Sequence, residues 1–131
     1  MTYTRSQARE KAMIILYQID INISQSMPYD IENIISENLD VDNDFVRDLV
    51  YGVTTYKTQL DEDANKYMDK WDISRIDKTG AQILRIALFE LKYTDTPEIV
   101  VINEAIELAK KYSDDNVRKI INAVLDKIIK K

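Results

Sequence analysis

Several polar residues sit at fixed places inside otherwise apolar helical blocks. They are Arg85 and Glu90 within 83–91, Asn103 and Glu104 within 96–110, and Asn122 within 121–126. A charged side chain among Ile, Leu and Val is costly unless it is paired or reaches a surface. Glu90 is therefore either the partner of a nearby Arg or Lys, or a rim residue of a protein interface. Catalytic chemistry is thinly supplied. The chain has no cysteine and no histidine, so disulfides and thiolate metal sites are excluded, and the usual general base near neutral pH is missing. With glycine only at positions 52 and 80, no phosphate loop, dinucleotide turn or nucleophile elbow occurs. Asp61, Glu62 and Asp63 are adjacent on a helical pattern, point in different directions and read as a solvated face. Asp114 and Asp115 fit a helix start, where they favour the dipole. The expectation is a binding protein rather than an enzyme, with no cofactor and no metal.

Charge distribution says more than the net value of −5. In the first 17 residues Arg5, Arg9 and Lys11 face one acid, Glu10; after residue 115, Arg118, Lys119, Lys127, Lys130 and Lys131 face only Asp126. The middle is acidic. If the fold lays the two end helices side by side, they form a basic patch on an acidic body. The plain alternative is a solvated helix face and a Lys-rich tail.

The elements that must position these residues are helices. The 131 residues suit a single domain, 1–131. Scarce glycine and proline argue against an all-β fold. No apolar run approaches the ~18 residues of a membrane span, and the polar N-terminus lacks a signal-peptide core; a cytoplasmic protein is expected. Thr4 and Gln7 have capping-box spacing ahead of Ala8, Ala12, Leu16 and Ile19. Pro28 suits the first turn of a short second helix. Asp42 or Asn43 caps a long third helix to about Met68, in which Gly52 marks close contact with a crossing helix. Trp71 reads as a core or lid residue, with a turn or short helical segment around Asp72 and Ser74. Asp77 caps a helix apolar almost all round, which should be central. Thr96 caps and Pro97 opens the next; Ser113 or Asp114 caps the last. The class is all-α, with about seven helices that cross rather than form one coiled coil.

Five blocks then match a known pattern in order. They are Arg5-x-x-Ala8-Arg9-x-x-Ala12-x-x-x-Leu16-Tyr17, then Phe45-Val46-Arg47-x-Leu49-Val50-x-Gly52-Val53, then residues 83–91, then 97–110 with Ile102-Asn103-Glu104-Ala105, and finally Asn122-Ala123-Val124-Leu125-Asp126-Lys127. Together they resemble the NusB family of transcription antitermination factors. The resemblance implies two crossed helical subdomains. It implies pairing with a small-subunit ribosomal protein, called NusE in this role, and binding of the single-stranded boxA element of nascent ribosomal RNA within the RNA polymerase antitermination complex. By the same likeness Arg5, Arg9, Arg118, Lys119 and Asn122 face RNA, and Tyr17 and Glu90 stand at the NusE contact.

Two departures from the family pattern matter. Ile120 stands where an aromatic is frequent, and isoleucine cannot stack on a base. The N-terminal basic cluster is thin, with Thr2, Tyr3, Thr4 and Ser6 in place of further arginines; low intrinsic RNA affinity and dependence on the protein partner follow. Ala123 replaces a frequent glycine. Two other readings stay open: an RNA-recruiting module like the one fused to ribosomal RNA cytosine methyltransferases, and a helical adaptor that binds protein only. A free-standing role is favoured over the first, since the chain ends soon after its last helix and shows no methyl-donor site.

Overall fold

The computed structural model describes residues 2–69 and 72–130. Trp71 and Lys131, both invoked above, lie outside the described residues. Within them the chain forms α1 (Arg5–Ser24), α2 (Ile31–Asn38), α3 (Asp44–Lys66), a single 3-10 turn (Ile73–Arg75), α4 (Lys78–Tyr93), α5 (Glu98–Tyr112) and α6 (Asp115–Ile129), with no strand among the described residues. The short turn is the segment expected around Asp72 and Ser74, so seven helical segments are present among the described residues. No described helix is long and apolar enough to cross a membrane.

Local chemistry sets most of the boundaries. Thr4 and Gln7 close the reciprocal capping box at the start of α1. Asn43, rather than Asp42, accepts from the Val46 amide and starts α3, while Asp42 takes Arg47. Asp77 and Asp114 cap α4 and α6 through the Gly80 and Val117 amides. Two starts differ from expectation. Asp30 caps α2 by accepting from Glu32 and Asn33, so Pro28 precedes the helix instead of opening it. Pro97 occupies the cap position of α5 and Glu98 is its first residue; no side chain caps it. Thr96 is drawn away, its hydroxyl lying between Thr94 and Glu90.

The core is organised around α4. Every residue from Gly80 to Glu90 is buried, which is what a helix apolar on all sides requires. It packs against α1, α3, α5 and α6, while α1 packs on α3 and α5 on α6, so it belongs to both helical halves. Each fully buried Leu or Ile contributes about 1.5–3 kcal/mol relative to exposure, and Leu16, Leu49, Leu84, Ile121 and Leu125 lie in one cluster with it.

Gly52 lets α3 approach α4. A Cβ there would lie 2.2 Å from Cζ of Phe89, whose ring is held by Tyr93 at 5.4 Å between centroids, itself stacked on Tyr56 at 4.3 Å. Alanine would gain about 1 kcal/mol of helix propensity, but displacing a packed ring costs about 1–3 kcal/mol. Gly52→Ala is expected to lower stability by about 1 kcal/mol in urea unfolding; a variant more stable than the parent contradicts this packing.

Candidate nucleic-acid interface

Arg9 occupies the inward side of α1, between the exposed Arg5 and the buried Met13 and Leu16. It is only 3% exposed, and Glu90, near the end of α4, only 1%. The two make a bidentate pair, Nε to Oε2 at 2.9 Å and Nη2 to Oε1 at 2.8 Å. The remaining Nη1 donates to Glu104 on α5 at 2.9 Å, and Glu104 also accepts from the Ser6 hydroxyl at 2.5 Å. Burial works against the Arg9 charge, but the hydrogen bonds and charges of Glu90 and Glu104 outweigh it and hold the guanidinium above its ordinary pKa. One side chain thus ties α1, α4 and α5 together.

Two residues expected at contact surfaces are buried here. Arg9 does not present its charge to solvent, and Glu90 is not at a rim; each uses the other to satisfy a buried charge. Glu90 is the paired carboxylate of the two alternatives posed by its apolar surroundings. Glu104, which closes the arrangement, carried no assigned role in the sequence. Its helical register beside Asn103 was visible, but its partner lies 95 residues away.

The other expected RNA-facing residues lie on the surface. Arg5 is exposed, with its guanidinium carbon 4.0 Å from the centroid of the Phe45 ring at the start of α3. Lys119 and Asn122 are exposed on α6, three residues apart and hence on neighbouring positions of one helix face. Arg118 is half-buried and lies 3.3 Å from Asp115. Ile120 is turned partly into the core. Tyr17, 38% exposed, stands on α1 beyond the buried pair.

Among the described residues the two basic end helices do not pack extensively along each other. α4 packs against both α1 and α6, and the link between the ends at the surface runs through α5. Glu10 of α1 accepts from Lys111 at 2.6 Å and from the Tyr112 hydroxyl, and α6 begins three residues later. These bonds, led by that from Lys111, hold the Glu10 carboxyl below its ordinary range. A groove of about 370 Å³ between α1 and α5 is lined by Glu10, Glu104 and Glu107 as well as Lys110 and Lys111. The positive charge is therefore interspersed with carboxylates rather than gathered in one field.

A second internal network lies along the other half of α4. Arg85 clasps Asp61 at 2.7 and 3.0 Å, and Gln82 donates to Asp20 at 3.0 Å. Asp61 is thus a structural partner, not part of a solvated acidic run. Among the described residues no buried side-chain polar atom lacks a hydrogen-bond partner, and no acidic group is arranged to hold a metal.

The NusB family model matches residues 6–130. This chain belongs to the NusB family. The transcription antitermination protein NusB of Macrococcus caseolyticus is 42% identical over 97% of both chains, and that of Enterococcus faecalis is 40% identical over 97% of this chain and 90% of its own. A solved NusB from T. maritima superposes with a TM-score of 0.86 at 31% identity, covering 100% of this chain and 94% of that one. A NusB solved with NusE and double-stranded RNA shares the fold, with a TM-score of 0.81 at 24% identity over 96% of each chain. The NusB fold is thus the all-α arrangement of two helical halves joined through α4.

Removing Arg9 alone would strand Glu90 in the core, which costs about 3–5 kcal/mol. Arg9→Ala is therefore expected to lose that much in urea unfolding. Arg9→Met combined with Glu90→Leu removes both charges and should recover most of the loss. Equal loss in the single and double variants would contradict the pairing.

Proposed function

We propose that this NusB-family protein is a non-catalytic transcription antitermination factor. It pairs with NusE and binds the boxA element of nascent ribosomal RNA in the RNA polymerase antitermination complex, in the cytoplasm. The observation that carries the reading is the near full-length identity to proteins named for antitermination. The surface supports it in kind: Arg5 and Lys119 are exposed cations, and Asn122 offers both a donor and an acceptor.

The division of labour follows from exposure. Arg5 and Lys119 neutralise phosphates, the sequence-independent part of affinity. Asn122 hydrogen-bonds a base edge of single-stranded RNA, and Arg118, half held by Asp115, contributes less. Arg9 acts from inside, fixing the helix that carries Arg5. With Ile120 in place of an aromatic, stacking adds little at that position, and carboxylates between the cations weaken the field. The protein partner must then supply part of the RNA grip, with Tyr17 as an exposed contact for it. Glu90 serves the same partner by holding the end of α4 in place.

Titration of a boxA RNA oligonucleotide with and without NusE tests the reading. Binding is expected to be weak alone and tight with NusE. Lys119→Glu should weaken binding in the presence of NusE and reduce the slope of log affinity against log salt by roughly 0.7 for each phosphate no longer neutralised. Absence of RNA binding under both conditions would favour a protein-only adaptor, and unchanged affinity and slope in Lys119→Glu would remove α6 from the RNA surface.

A further inference from the structure

The arginines of this protein are held in different ways. Arg9, Arg47, Arg85 and Arg118 each have a carboxylate within ion-pair distance. Arg5 is engaged instead by a ring: its guanidinium carbon is 4.0 Å from the Phe45 centroid, and no ion pair of Arg5 occurs among the described residues. Phe45 is itself well fixed. It is the second residue of α3, just after the Asn43 cap, and packs partly buried against the core. Arg9, immobilised by Glu90 and Glu104, lies 5.2 Å from the same ring centroid. The ring is thus anchored beside a fixed cation and offers its face to an exposed one.

We infer that Phe45 is a positioning residue for RNA binding: its ring holds the Arg5 guanidinium in place at the surface while leaving the N–H donors of that group free for phosphate oxygens. A carboxylate partner would use the same donors that a phosphate needs and would cancel the charge. An aromatic face does neither, because a guanidinium attracted to the ring quadrupole still carries its full charge and its in-plane donors. Ordering the long side chain before RNA arrives also reduces the conformational freedom lost on binding. In a protein whose N-terminal basic cluster is thin, one ordered arginine counts for more than one of many.

The inference rests on the RNA-binding role of Arg5 proposed above, and a double-mutant cycle separates the two. The affinity for a boxA RNA oligonucleotide in saturating NusE is measured for the parent, Arg5→Ala, Phe45→Leu, Phe45→Tyr and Arg5→Ala/Phe45→Leu, with thermal melts as a control for folding. Phe45→Leu is expected to weaken binding about three- to tenfold, since it keeps an apolar anchor but loses the π-face. Phe45→Tyr, which keeps the face, should bind like the parent. In the Arg5→Ala background Phe45→Leu should have no further effect. An equal loss from Phe45→Leu in both backgrounds would show a merely structural role and overturn the inference, as would parental affinity in Phe45→Leu when Arg5→Ala binds weakly. Parental affinity in Arg5→Ala would instead remove Arg5 from the RNA surface, and the inference with it. Should Phe45→Leu fail to fold, Phe45→Met carries the same comparison with the same outcomes.

Discussion

A guanidinium taken out of water must be neutralised and fully hydrogen-bonded, and in this protein that requirement joins three helices. Arg9 reaches Glu90 near the end of α4 and Glu104 in the middle of α5. Bidentate geometry fixes direction as well as distance, so the first half of α1 has one orientation relative to the central helix. A pair of this kind adds little net stability over an apolar substitute. Its contribution here is registry: it sets where the residues on the outer side of α1 point.

That constraint explains how cations that look alike in the sequence come to do different work. Arg5 and Arg9 are one helical turn apart, yet one is exposed over a ring and the other is buried between carboxylates. On α6, Arg118 leans on Asp115 while Lys119 and Asn122 extend outward. The proposed interface spans α1, the end of α5 and α6 rather than two adjacent end helices. Glu10, Lys111 and Tyr112 join the first two of these at the surface. Because acids are mixed into this surface, electrostatic attraction alone is modest, which fits the proposed reliance of RNA binding on a protein partner.

Much of the fold was legible because its signals are local. Thr4 with Gln7, Asp77 and Asp114 announce helix starts within three residues of the amides they cap. The all-round apolar pattern of residues 81–91 placed α4 at the centre, and the rarity of glycine pointed to the close approach at Gly52. Pro28 and Pro97 misled by a few residues and by one, since a fixed φ suits the positions before a helix as well as its first turn. That Glu90 could be paired was legible, but the identity of its partner was not. Glu90 and Arg9 are 81 residues apart, and nothing in α1 alone distinguishes an inward arginine from an outward one when both flank an apolar face. The same holds for Asp61, whose partner Arg85 is 24 residues on, and for Phe45, whose ring meets the guanidinium of Arg5 from another helix.

On the proposed function, Arg9 stays locked inside while exposed cations grip RNA. NMR of the arginine Nε–H groups and of the α6 backbone, recorded before and after adding boxA RNA to the complex with NusE, tests this most directly. The expected result is a slowly exchanging Arg9 Nε–H signal that does not move, with changes at Arg5, Lys119 and Asn122. A rapidly exchanging Arg9 signal that shifts with RNA, while those three stay still, would contradict it.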